Sequence, residues 1–130
     1  MSTIIKMFFA ALLFFSMSSA YAQCTATTYP EVAEKIAHGH SWGKHRNEFA
    51  PGVVMAGLAM PSSIQVTNVK EFQSHILSTI SSSTNKTFSN GRRAFWDYPT
   101  GTIVFYDPYN KDCGTAFRPT AGKQYFDRQR

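Results

Sequence analysis

Between residues 38 and 48 the chain gathers His38, His40, Lys44, His45 and Glu48. On a helix, residues three or four apart share a face, so His40 neighbours Lys44, Lys44 neighbours Glu48, and His45 neighbours Glu48. A carboxylate beside an imidazole orients the ring and supports its charged form. RNA cleavage without a metal needs a base for the 2′-hydroxyl proton and an acid for the leaving 5′-oxygen. Histidine titrates near neutrality and suits either role. His40 and His45 are therefore candidate catalytic groups, with Glu48 orienting His45, and the division into acid and base is left open. A solvated helix face accounts for any one of these residues alone; the cluster favours function. Zinc is the rival chemistry, but His38 and His40 lack helical ligand spacing and no cysteine joins them, so neither metal nor cofactor is expected.

Two further groups carry charge and hydroxyls. Arg92 and Arg93 follow the turn signal Asn90-Gly91. In a strand they point to opposite faces, so one can face a cleft. A guanidinium fits a phosphate bidentately and stabilises the charge of a phosphorane-like transition state. Thr115 offers a hydroxyl to a phosphate oxygen, and Arg118 adds positive charge. Either Arg92 or Arg93 could thus join Thr115 at a scissile phosphate, and Lys44, Arg93 and Arg118 are candidate contacts to an RNA backbone. Trp96, Tyr98, Tyr106, Phe117 and Tyr125 are of the type that stacks on bases, although most such rings are sheet core; Tyr125 is retained as an RNA-binding candidate. Asp97, Asp107 and Asp112 fall at strand ends and turns, where aspartate is ordinary. His75 lies in the apolar stripe of a helix and reads as a core or boundary histidine. The chain has no glycine-rich phosphate loop opening a helix, no G-x-S-x-G elbow and no C-x-x-C motif.

These residues need elements to hold them. Residues 30–38 read as a helix with Pro30 in its first turn and Glu31 and Glu34 near the positive end of its dipole. Gly39 is placed to end or bend it, and 40–49 to form a second helical turn. Residues 50–61, with two glycines and two prolines, read as loop with a short strand. The clearest helix is 68–80, capped by Asn68 or Thr67, with Val69, Phe72, His75 or Ile76 and Ile80 at helical spacing. After the serine-rich break 81–85 the pattern turns to strands: 86–89, 92–98, 102–106, 115–118 and 123–126. Asn90-Gly91 is a hairpin turn and Pro99-Thr100-Gly101 another. Helices first and then hairpin-linked strands predict an α+β fold, with the N-terminal helices packed on a small antiparallel sheet.

The first 22 residues stand apart from this pattern. Lys6, the apolar run 7–15 and Ala20-Tyr21-Ala22 have the order of a signal peptide with an A-x-A cleavage site. The expected mature chain, 23–130, is one domain of 108 residues, secreted or periplasmic. It has no second apolar run of membrane-spanning length, so no membrane association is expected after cleavage. Losing Lys6 leaves 12 Lys and Arg against 8 Asp and Glu, a net charge of +4 that favours polyanions. Cys24 and Cys113 both remain. In an exported chain an even count argues for a disulfide, and two cysteines allow one intramolecular pairing; free thiols are the alternative.

The mature chain resembles the C-terminal nuclease domains of bacterial polymorphic and contact-dependent toxins, of the superfamily that includes barnase, EndoU, colicin-type tRNases and RelE. The residues that carry the likeness are Gly39-His40-Ser41-Trp42-Gly43-Lys44-His45 with Glu48-Phe49, Glu71-Phe72 with His75-Ile76, Ser89-Asn90-Gly91-Arg92 with Ala94-Phe95-Trp96-Asp97, and Thr100-Gly101-Thr102-Ile103-Val104. Asp112, the run Gly114-Thr115-Ala116-Phe117-Arg118-Pro119, Gly122-Lys123 and Tyr125-Phe126-Asp127 complete it. The resemblance implies a barnase/EndoU/RelE-like sheet and metal-independent RNA cleavage through a 2′,3′-cyclic phosphate. It takes His40 or His45 from the helices and Arg92, Thr115 and Arg118 from the sheet. It also implies an RNA substrate, with tRNA one candidate, and a dedicated immunity or inhibitor protein. Toxin domains of this kind usually end very long proteins, whereas this chain carries its own signal and a cysteine pair, which fits a free-standing, monomeric secreted nuclease. The alternative readings are a non-enzymatic secreted or periplasmic binding or inhibitor module, and a metal-dependent phosphodiesterase acting on DNA.

Overall fold

The computed structural model describes residues 23–82 and 84–130. The signal peptide expected at 1–22 lies outside the described residues.

The fold is α+β. The first helix, α1 (Tyr29–Ile36), starts on Thr28, whose side chain accepts from the Glu31 N–H, with proline in the first turn. It runs into a widened π-type turn at Ala37–Ser41, where Gly39 leaves helical geometry (φ −82°, ψ −149°). A short α2 (Trp42–His45) and a 3₁₀ turn at Arg46–Phe49 follow. The chain expected to stop or bend at Gly39 therefore bends and continues. The loop after it contains a two-stranded hairpin, β1 (Val54–Met55) with β2 (Leu58–Ala59). Helix α3 (Val69–Ile80) is capped by Asn68, whose side chain accepts from the Glu71 N–H at 2.8 Å, while Glu71 reaches back to the Thr67 N–H.

The four-stranded sheet is an antiparallel meander: β3 (Asn85–Thr87), β4 (Arg93–Asp97), β5 (Thr102–Tyr106) and β6 (Gly114–Phe117), in that order. Register puts Phe95, Val104 and Ala116 on one face, where they pack against Val32, Ala33 and Ile36 of α1 and Phe72, Ile76 and Ile80 of α3. Ala94, Phe105 and Thr115 share the other face with Trp96, Ile103 and Phe117. One correction belongs here. Residues 123–126, expected as a strand, form a helical turn, α4 (Lys123–Asp127). Gly122 at φ +63° redirects the chain, Lys123 pairs with Asp127 one turn on, and Phe126 packs against Ala94, Trp96 and Ile103. A single turn presents too few residues for the helical period to stand out against alternation.

Cys24 and Cys113 form the disulfide. In the chain-entropy model a loop this long contributes about 4 kcal/mol. The bond is compatible with an extracellular or periplasmic location. Among the described residues no helix is long and apolar enough to cross a membrane.

His75 is a core histidine, as its place in the α3 stripe predicts: it is 5% exposed, and its Nε2 lies 2.9 Å from the Thr102 hydroxyl. Burial lowers its pKa below the ordinary 6.5; Asp97 opposes that shift and Arg118 reinforces it. The unfolded chain thus binds the proton more readily than the folded one. Stability from this site is complete above pH 6.5 and is lost as the pH falls below it toward the folded-state value. Urea unfolding at pH 7.5 and pH 5 should show a lower midpoint at pH 5, and His75→Gln should remove part of that fall. An equal fall in both proteins would contradict this role.

Candidate functional site

Strand β6 is an edge strand, and its outward N–H groups need partners. The N-terminal segment supplies them. Ser41 Oγ accepts from the Ala116 N–H (3.2 Å), and Glu48 Oε1 accepts from the Arg118 N–H (2.8 Å). Ser41 Oγ also meets Thr115 Oγ1 at 2.9 Å. Two side chains seven residues apart, about two helical turns, thus lay residues 40–48 along the strand. This contact brings the imidazoles to the sheet.

His40 and His45 each sit in an imidazole–carboxylate pair. His45 Nδ1 is 2.5 Å from Glu48 Oε2, as the i, i+3 spacing predicts, and its ring stacks on Phe117 with centroids 5.2 Å apart. His40 Nδ1 is 2.9 Å from Asp112 Oδ2, which also accepts from the His40 backbone N–H. That hydrogen bond from His40 is the main reason the Asp112 carboxyl is held below the usual carboxylate range. With Nδ1 donating to a carboxylate in each pair, Nε2 becomes the acceptor of the neutral ring. Thr115 and Phe117 are same-face neighbours on β6, roughly 7 Å apart. The His45–Glu48 pair thus stacks on β6 at Phe117, while the His40–Asp112 pair sits at the turn that leads into β6.

A groove of about 360 Å³ is lined by His40, Arg92, Phe105, Asp107 and Thr115 among others. Arg92 is exposed and pairs with Asp107 at 3.2 Å. Beyond Phe117 a second hollow of about 270 Å³ is bounded by Glu48, Met55, Tyr125 and the 118–121 turn. Phe105, Phe117 and Tyr125 form a continuous ring cluster between the two. Of the residues singled out from sequence, His40, Arg92 and Thr115 thus share one groove. His45 and Glu48 do not line that groove: His45 stacks on Phe117, and Glu48 and Tyr125 border the second hollow. Lys44 is exposed on α2 and lines neither hollow.

Two assignments are corrected. Arg118 is 1% exposed and cannot bind an RNA backbone. Its guanidinium donates to the carbonyls of Thr100, Glu48, Val53 and Leu58, at 2.6–2.9 Å. Burial lowers its pKa, with the Glu48 carboxylate opposing. Arg93 lies on the helix-packed face of the sheet, donating to the Tyr29 hydroxyl and to Asn85, with its guanidinium over Phe95. Strand alternation sends it away from the groove.

Asp112 is the His40 partner that sequence reasoning read as an ordinary turn aspartate. The available signal was Gly39. A Cβ there would lie 2.7 Å from Asp112 Cγ and 2.9 Å from Cβ and Oδ2, so only glycine leaves space for the carboxylate against His40. Gly39→Ala should push Asp112 off His40. We expect stability to fall by about 1–3 kcal/mol, the usual cost of overpacking, and any His40-dependent turnover to fall about tenfold or more. Unchanged turnover would show that the pair is idle.

Among the described residues no group of three or more His, Cys, Asp or Glu is arranged to hold a metal ion. No protein family matches the chain, and no curated protein or solved structure proves similar to it.

Proposed function

We propose that the protein is a secreted endoribonuclease of the bacterial toxin type, cleaving RNA by attack of the 2′-hydroxyl on the adjacent phosphate to give a 2′,3′-cyclic phosphate. One observation carries the reading: a carboxylate-paired imidazole, an exposed arginine and a threonine hydroxyl line a single groove, with a second imidazole–carboxylate pair stacked on Phe117 of the strand that bears the threonine.

The chemistry follows from that arrangement. One imidazole accepts the 2′-hydroxyl proton at Nε2, and the other, protonated, delivers a proton to the leaving 5′-oxygen. Asp112 and Glu48 hold the tautomers and stabilise the imidazolium that forms. Arg92 turns from Asp107 to the phosphate and offsets the added charge of the transition state. Thr115 donates to a non-bridging oxygen. Phe105, Phe117 and Tyr125 offer ring surface to the flanking bases. The mild positive charge of the chain favours the polyanion.

The test is incubation of oxidised, refolded protein with total RNA in excess EDTA between pH 5 and 8. Cleavage insensitive to EDTA is expected. RNA left intact throughout would defeat the proposal, and activity restored only by a divalent cation would favour the metal-dependent alternative.

A further inference from the structure

The disulfide reaches the groove through one peptide bond. Cys113 follows Asp112 directly, is fully buried, and takes a left-handed conformation (φ +65°) that aims the preceding carboxylate at His40. Gly114 follows at φ +136°, where a Cβ would stand 1.7 Å from the Phe105 carbonyl oxygen, so only glycine fits between the bend and β5. On its other side Cys113 is tied to Cys24, whose backbone N–H donates to the Pro108 carbonyl at 3.1 Å. The turn 107–113 has internal bonds of its own: Asn110 N–H to the Asp107 carbonyl, Cys113 N–H to the Asn110 carbonyl, Asp107 N–H to the Cys113 carbonyl and Asp112 N–H to Asn110 Oδ1. What ties it to the segment before α1 is the disulfide with the Cys24–Pro108 bond.

We propose that the Cys24–Cys113 disulfide is a positioning element of the site: it fixes Asp112 against His40, and reduction releases that pair while the rest of the fold persists. The inference rests on the ribonuclease reading for its consequence, a nuclease that is switched off wherever thiols stay reduced and becomes competent only after export. The exchange is balanced by a dithiol reductant. One of its thiolates attacks the sulfur of Cys24, the less buried of the two cysteines, Cys113 leaves as thiolate and takes up a proton, and the second reductant thiol resolves the mixed disulfide. Two electrons and two protons pass to the protein, and the reductant becomes the disulfide.

The experiment compares oxidised protein, dithiothreitol-reduced protein and the Cys24→Ser variant by ¹⁵N NMR of the His40 ring, near-ultraviolet circular dichroism and RNA cleavage. The expected result is loss of the carboxylate-bonded Nδ1 signature in the reduced and Cys24→Ser forms, with near-ultraviolet dichroism retained. Cleavage should fall about tenfold or more, matching oxidised Asp112→Asn, in which reduction has no further effect. A His40 signature that survives reduction overturns the proposal. Wholesale loss of near-ultraviolet dichroism on reduction also overturns it, because the bond would then be a global staple. If no form cleaves RNA yet the signature is lost on reduction, the ribonuclease reading fails and the positioning role stands.

Discussion

Replacing His40 by alanine is expected to lower RNA cleavage by about 10²- to 10⁴-fold, the range for a lost general acid or base. That corresponds to roughly 3–5 kcal/mol of barrier. The fold should be untouched, because the side chain is 48% exposed and its partner Asp112 is itself partly solvated. The loss should appear in kcat more than in KM, since the imidazole acts on protons that move only in the transition state. His45→Ala should also abolish cleavage, but less cleanly, because His45 packs on Phe117 and its partner Glu48 also holds the edge of β6. Comparing initial rates of His40→Ala and the parent protein checks this. A loss of less than about threefold would remove His40 from the chemistry.

Replacing Arg118 by alanine is expected to cost stability. Four carbonyl groups from three separate segments converge on its guanidinium: Glu48 from the 3₁₀ turn, Val53 and Leu58 beside the hairpin, and Thr100 from the β4–β5 turn. Alanine takes the guanidinium donors from all four carbonyls, of which Val53 still accepts from the Met60 N–H, and opens a cavity. At about 1–3 kcal/mol for each unsatisfied group, discounted for relaxation and entering water, the loss should exceed about 4 kcal/mol. Domains of this size have about 5–15 kcal/mol in total, so the variant should be close to unfolded. Arg118→Lys should recover little, because one ammonium cannot span the fork. Urea unfolding followed by tryptophan fluorescence decides the matter. A stable Arg118→Ala protein with weakened, less salt-dependent RNA binding would restore the surface role its sequence position suggested.

These two residues also mark where sequence reasoning succeeded and where it stopped. Helix α3, strands β4 and β5, and the Asn90-Gly91 turn were legible because local periodicity, capping and turn chemistry agree there. The disulfide was legible because two cysteines leave one intramolecular pairing. The His45–Glu48 pair followed from helical spacing. The His40–Asp112 pair did not, because its partners are 72 residues apart and meet only after β6 docks on the N-terminal segment. Arg118 was misread for a related reason. Nothing local distinguishes an arginine that binds phosphate from one that gathers carbonyls; burial decides, and burial is a property of the assembled fold. Helix α4 was missed because a single turn carries almost no periodic signal.

The claim on which the rest depends is that the groove between His40, Arg92 and Thr115 cleaves a phosphodiester by using its neighbouring 2′-hydroxyl. An otherwise all-DNA oligonucleotide carrying one ribonucleotide tests this directly, in EDTA, with the products resolved by mass. The account predicts a single cut immediately 3′ of the ribonucleotide, leaving a 2′,3′-cyclic phosphate, and no cut in the all-DNA strand or in a 2′-O-methyl version. Cleavage of the all-DNA strand, or no cleavage of any strand by oxidised protein, would contradict it.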